Sequence, residues 1–151
     1  MKHALMNTAI TAALVLVITT PVHAQAAPAA AASTPSTCAT LQFTGLKSGE
    51  GALMIAAYGS AETYLKTPVW AKSVKVDRDT MTVPMCDVAS AEIAVTAFQD
   101  MNGNGKLDSN PMGIPSEPYG SSGTPAMFTA PTWKDTKVAI VGHTSPIIVK
   151  F

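Results

Sequence analysis

Apolar side chains recur at every second position along most of this chain, and that period leaves few folds open. Leu41 and Phe43 alternate with Thr40, Gln42 and Thr44, and Leu53, Ile55 and Ala57 with Met54, Ala56 and Tyr58. Val74 and Val76 alternate with Ser73, Lys75 and Asp77, and Met81, Val83 and Met85 with Thr80, Thr82 and Pro84. Ile93, Val95 and Ala97 precede Phe98; Val138 and Ile140 come late, and Ile147, Val149 and Phe151 follow. A period of two sends alternate side chains to opposite faces of an extended segment, and Val, Ile, Thr and Phe fit such a half-buried surface. Turn-forming runs separate these segments: Gly45 to Gly51, Asp77 to Thr80, Asp87 to Ala91, and "GHTSP" from Gly142 to Pro146. About seven strands at this short spacing predict an all-β antiparallel β-sandwich, with the last two joined as a hairpin through His143. The stretch Gly59 to Trp70 has room for one helical turn before Pro68.

The N-terminal part has another character. Lys2 and His3 precede the apolar run Ala9 to Ile18, which is too short for a stable span, and "PVHAQA" places Val22 and Ala24 as a small-residue cleavage site. Residues 1–24 read as a secretory signal peptide, with the mature protein periplasmic or secreted and without a membrane span. Residues 25–37, rich in Ala, Pro, Ser and Thr and free of charge, read as a flexible linker, because they cannot bury enough apolar surface to offset ordering. Residues 38–151 are then the β-sandwich domain. Lys and Arg together number 10, as do Asp and Glu, and Arg78 is the sole arginine. The scattered cations exclude a phosphate-binding stripe, so no nucleic-acid partner is expected, and they exclude a basic membrane-surface helix.

Cys38 and Cys86 are the only cysteines. In an exported protein the expected state is a structural disulfide, and no C-x-x-C spacing points to redox work.

The span from Gln99 to Pro131 breaks the alternation with five prolines and many Gly, Ser and Asn residues. A loop of this length in a small domain is usually functional or mobile. It begins with "DMNGNGKLD". Counting Asp100 as one, Asn102 is three, Asn104 five, Gly105 six, Lys106 seven and Asp108 nine. Calcium takes six to eight oxygens at about 2.4 Å, and alternate inward residues with a glycine at the bend supply them. Lys106 fits at seven because only its carbonyl is needed there. Position twelve falls on Pro111 where a bidentate carboxylate belongs, so the motif is incomplete; Glu117 lies further along and could fold back to fill the gap. The predicted metal set is therefore Asp100, Asn102, Asn104, Lys106, Asp108 and Glu117, with Ca2+ as the ion. Its affinity is expected in the range of about 10⁻⁴ to 10⁻³ M that extracellular modules with few charged ligands show. The competing reading is an Asn/Gly turn whose side chains bond their own backbone.

Other chemistry is thinly represented. His143 is the only histidine after residue 24, which excludes a multi-histidine zinc site within the mature chain, and no G-x-S-x-G elbow occurs. Asp77 and Asp79 flank Arg78 and read as a solvated turn rather than an acid/base pair. Trp70, Trp133, Met81 and Met85 read as packing residues, while Tyr58, Tyr64, Phe98, Tyr119 and Phe128 leave room for an aromatic platform. Met101, Met112 and Met127 lack the close spacing of a copper site.

The strand "LQFTGLKSGEGALMIAAYGS" followed by "EIAVTAFQDMNGNGKLDSNPMGIPSEPYG" resembles the bacterial family known as domain of unknown function 2141. The most specific part is Asp100 to Gly120: the D-x-N-x-N-G-x-L-D run, then N-x-x-G-I-P-x-E and a Tyr-Gly pair. The resemblance implies an exported single-domain sandwich of immunoglobulin or transthyretin-like type. The family pattern tends to carry His where Gln99 stands, an aromatic at Ile93, and Phe-Ser-Asn where Ser121 to Gly123 stand. The loop also resembles calcium loops of bacterial surface-adhesin B-type repeats, which supports calcium by analogy. The expectation is a non-enzymatic binding or structural module at the cell envelope, its partner an envelope protein or polysaccharide. Two alternatives stand beside it: a small-ligand carrier or hydrolase that uses residues 99–131 as a lid over His143, Glu117 and Tyr119, and a subunit of an envelope assembly.

Overall fold

The computed structural model describes residues 38–126 and 129–151. The predicted signal peptide and linker, residues 1–24 and 25–37, lie outside the described residues, as do Met127 and Phe128. Among the described residues eight strands form: β1 (Ala39–Thr44), β2 (Ala52–Tyr58), β3 (Trp70–Lys75), β4 (Thr80–Met85), β5 (Glu92–Asp100), β6 (Tyr119–Ser121), β7 (Lys137–Ala139) and β8 (Ile147–Lys150). One four-residue helix, α1 (Trp133–Thr136), precedes β7.

The strands make two sheets, one ordered β4-β1-β8 and the other β3-β2-β5-β6, with β7 also on β5. Their inner rows are those the alternation named. Ala39, Leu41 and Phe43 pair with Met85, Val83 and Met81 on one side, and Leu41 and Phe43 pair with Ile147 and Val149 on the other. From the second sheet Leu53, Ile55, Ala57, Ile93, Val95 and Ala97 face them and complete one buried core. Burial of each large side chain there stabilises by roughly 1.5–3 kcal/mol. Pro84 lies on β4, an edge strand, where its missing N–H costs no ladder bond. The disulfide Cys38–Cys86 ties the residues just outside the Ala39–Met85 pair and closes a separation of 48 residues.

Two sequence expectations are revised. The long loop is not structureless: β6 lies inside it, on β5, and Ser109 and Pro115 form an isolated bridge. The last two strands are not a hairpin. β7 pairs with β5, whereas β8 crosses to the other sheet and runs parallel to β1, so His143 lies on a connection between layers. The Gly59 to Trp70 stretch forms one helical turn before Pro68, as expected, with Thr67 N–H donating to Thr63 O, and a short helix also forms at Trp133. Met85 is fully buried, and Met81 and Trp70 pack against the main core, as expected. Trp133 joins Tyr58, Tyr64 and Ala94 in a second cluster on the outer face of the five-stranded sheet.

Candidate functional site

The site grows out of the C-terminal end of β5. Gln99 is fully buried there and anchors the neighbouring turn. Its side-chain amide donates to Lys47 O (2.8 Å) and Glu50 O (2.7 Å), while its Oε1 accepts from Lys47 N–H (2.9 Å). This fixes Gly45 to Gly51 against the strand. It also leaves the backbone at Asp100 so close to Gly51 that a Cβ at Gly51 would meet Asp100 O.

From Asp100 the chain turns sharply around that residue's carboxylate. Oδ1 accepts from Gly103 N–H (2.7 Å) and Asn104 N–H (3.2 Å), and Oδ2 accepts from Gly105 N–H (2.7 Å). Gly105, the sixth position of the motif, sits at φ 73°, a conformation that a side chain rarely adopts. The Gly105 amide, then those of Gly103, Asn104 and Asn102, hold the Asp100 carboxyl below its ordinary range, against the opposing effect of burial. Asn102 Oδ1 accepts from Asn104 N–H (3.1 Å), and Asn104 Oδ1 from Lys106 N–H (2.7 Å). The side-chain amides of both asparagines then donate to the Asp108 carboxylate, from Asn102 at 2.6 Å and from Asn104 at 3.0 and 3.1 Å.

Glu117 closes the base. Its Oε1 accepts from Met101 N–H (2.8 Å) and its Oε2 from Asp108 N–H (3.0 Å), so one carboxylate bridges the start and the end of the loop. Between them, Asn110 Oδ1 accepts from Met112 and Ile114 N–H, both at 3.0 Å, which makes a second tight turn. Asp100, Asn102, Asn104, Asp108 and Glu117 are thus joined in one hydrogen-bonded unit, and Lys106 enters it through its backbone. Among the described residues no group of three or more His, Cys, Asp or Glu side chains stands close enough to hold a metal by itself. A cation here needs the asparagine oxygens and the Lys106 carbonyl as well as the carboxylates.

Charge is the unbalanced quantity. Asp100 is 3% exposed and Glu117 8%, and neither forms an ion pair with a described residue. Removing a carboxylate from water is costly unless hydrogen bonds or an opposite charge compensate it. The amides supply hydrogen bonds. The described residues supply no opposite charge.

Glu117 is engaged at the loop base, Tyr119 lies on β6 paired with Phe98, and His143 follows β7. A shallow concavity of about 390 Å³ on the outer face of the five-stranded sheet is lined by Met54, Ala56, Tyr58, Thr96 and Phe98, with Lys72 at its edge, and by none of those three residues. Asp77 pairs with Arg78 at 3.0 Å in an exposed turn, as its sequence context suggested. Sequence reasoning missed the structural part of Gln99 and the buried Ser122. The Ser122 hydroxyl accepts from Val95 N–H (2.9 Å) and donates to Thr136 O (2.6 Å), fastening the far end of the long excursion. Neither residue stands in a recognisable motif; only an isolated polar side chain beside a strand marks them.

The family described as an uncharacterized protein conserved in bacteria, domain of unknown function 2141, matches residues 41–148, and the chain belongs to it. No curated protein and no solved structure matches the chain. No helix among the described residues is long and apolar enough to cross a membrane.

Proposed function

We propose that this member of the family is an exported, non-enzymatic β-sandwich module that holds a calcium ion in the loop from Asp100 to Glu117 and binds an envelope protein or polysaccharide. One observation carries the calcium reading: two carboxylates, Asp100 and Glu117, are buried at the loop base with no cationic partner among the described residues. Hard oxygen donors at alternate positions, with a glycine at the bend, are the donor set that calcium prefers. The ligands would be Asp100, the side-chain oxygens of Asn102 and Asn104, the Lys106 carbonyl and Asp108. Glu117 would act at the base. The ion would be structural, compensating the buried charge and stiffening the excursion beside β6. The partner-binding face is the outer side of the five-stranded sheet, where Met54, Phe98 and Tyr119 lie in one cross-strand row.

Titration calorimetry on the full-length protein tests the ion. Wild type is expected to bind calcium with a dissociation constant of about 10⁻⁴ to 10⁻³ M, and Asp100→Ala to give no binding heat. An identical calcium response in both proteins would remove the site.

A further inference from the structure

The loop holds two Asn-Gly pairs, Asn102–Gly103 and Asn104–Gly105, and all four residues are exposed. Such a pair carries its own chemistry. The glycine nitrogen attacks Cγ of the preceding asparagine and loses its proton, a new bond joins that nitrogen to Cγ, and the bond from Cγ to the amide Nδ2 breaks. Ammonia leaves, and a succinimide ring remains. Water then opens the ring to aspartate or to its β-linked isomer, so that each event consumes one water and releases one ammonia. Glycine favours the reaction because no Cβ obstructs the approach, and the space where a Cβ would stand at Gly103 and Gly105 is open.

The fold works against this chemistry. Gly103 N–H donates to Asp100 Oδ1 and Gly105 N–H to Asp100 Oδ2, both at 2.7 Å. Each oxygen of a single carboxylate therefore holds one of the two amides that would attack. The targets are held too: each asparagine Oδ1 accepts from the amide two residues on, and each side-chain nitrogen donates to Asp108. Opening the loop frees attacker and target together.

We propose that Asn102 and Asn104 are deamidation sites gated by the Asp100 carboxylate, which keeps both from cyclising while the loop is closed. The product matters for the site. Aspartate at 102 or 104 cannot donate to Asp108 and adds negative charge beside it, so a converted loop is looser without a cation and more attractive to one. That last consequence rests on the calcium reading; the gating does not.

Peptide mapping by mass spectrometry of the full-length protein, incubated at neutral pH with a chelator present throughout, follows the two sites without involving calcium. Asn110 is the internal control, because Pro111 has no amide hydrogen to lose and cannot close the ring. Folded wild type is expected to convert Asn102 and Asn104 roughly tenfold more slowly, or slower still, than the same protein in urea, the factor that one charge-assisted hydrogen bond gives a closed state. Asp100→Ala, shown folded by near-ultraviolet circular dichroism, is expected to approach the urea rate while Asn110 stays intact. If that variant does not fold, Asp100→Asn retains one acceptor oxygen and is expected to release one pair more than the other. Equal rates for folded and unfolded wild type, or a folded Asp100 variant that keeps the wild-type rate at both sites, would overturn the proposal.

Discussion

Replacing Gln99 with leucine removes the one side chain that fastens the Gly45 to Gly51 turn to β5, and the consequence can be worked from its contacts. Leucine keeps most of the buried volume, so the cavity cost is small. Three hydrogen bonds disappear: two donated to Lys47 O and Glu50 O, and one accepted from Lys47 N–H. All three are partly buried, so water recovers some of the loss. At about 0.5–1.5 kcal/mol for each bond, the expected destabilisation is roughly 2–4 kcal/mol. For a domain of this size that corresponds to a fall in Tm of about 10 °C or more. Urea unfolding gives the energy, with an unchanged m-value if only stability is altered. Hydrogen exchange gives the location, because Lys47 N–H should lose its protection. A midpoint equal to wild type, with Lys47 N–H still protected, would refute the argument that this buried amide positions the start of the loop.

Further outcomes follow from other parts of the fold. Cys38→Ser with Cys86→Ser opens a closure of 48 residues, and the chain-entropy relation gives a loss of about 4 kcal/mol; an unchanged urea midpoint would contradict it. Among the described residues the buried Tyr64 hydroxyl has no hydrogen-bond partner, so Tyr64→Phe is expected to be neutral or to stabilise by about 1 kcal/mol in thermal unfolding. Burial first, opposed by the nearby Thr136 hydroxyl and reinforced by Tyr58 and Asp135, pushes the Tyr64 phenol above its ordinary 10.0. The unfolded phenol ionises first, so this contribution is intact below pH 10.0 and is lost as pH rises through the higher native value. The alkaline limb of a stability profile should therefore flatten in Tyr64→Phe. Leu65 holds φ 57° while half exposed, so Leu65→Gly is expected to raise stability by about 1 kcal/mol in denaturant melts despite the freer unfolded state.

The alternation at Leu41/Phe43, Leu53/Ile55 and Ile147/Val149 made both inner faces legible, because burial on one side imposes a period that the composition must obey. β6 was not legible. A three-residue strand containing Gly120 has no room to show a period, and Gly120 is required for another reason: β6 passes so near β8 that a Cβ there would meet Lys150 O. The crossing after His143 was also hidden. A turn such as Gly142 to Pro146 reads alike whether the next strand returns to its neighbour or moves to the opposite layer, and the choice is made by which inner face has a free edge. In the loop, the Asn and Gly residues made a turn legible, and Asn102 and Asn104 do accept from the amides two residues on, as the Asn/Gly-turn reading expects. The bridge from Glu117 to Met101 and Asp108 depends on how the Asn110 turn returns the backbone, which spacing alone does not encode.

The most direct measurement on the central claim is a calcium titration of the full-length protein followed by the side-chain amide resonances of Asn102 and Asn104. In the structure these groups donate to Asp108. With it, their oxygens turn to the metal and both signals should shift in a saturable way, together with the Gly103 and Gly105 amides, while Gln99 stays in place. Signals that remain unmoved at millimolar calcium, or shifts confined to other parts of the molecule, would contradict a calcium-holding loop.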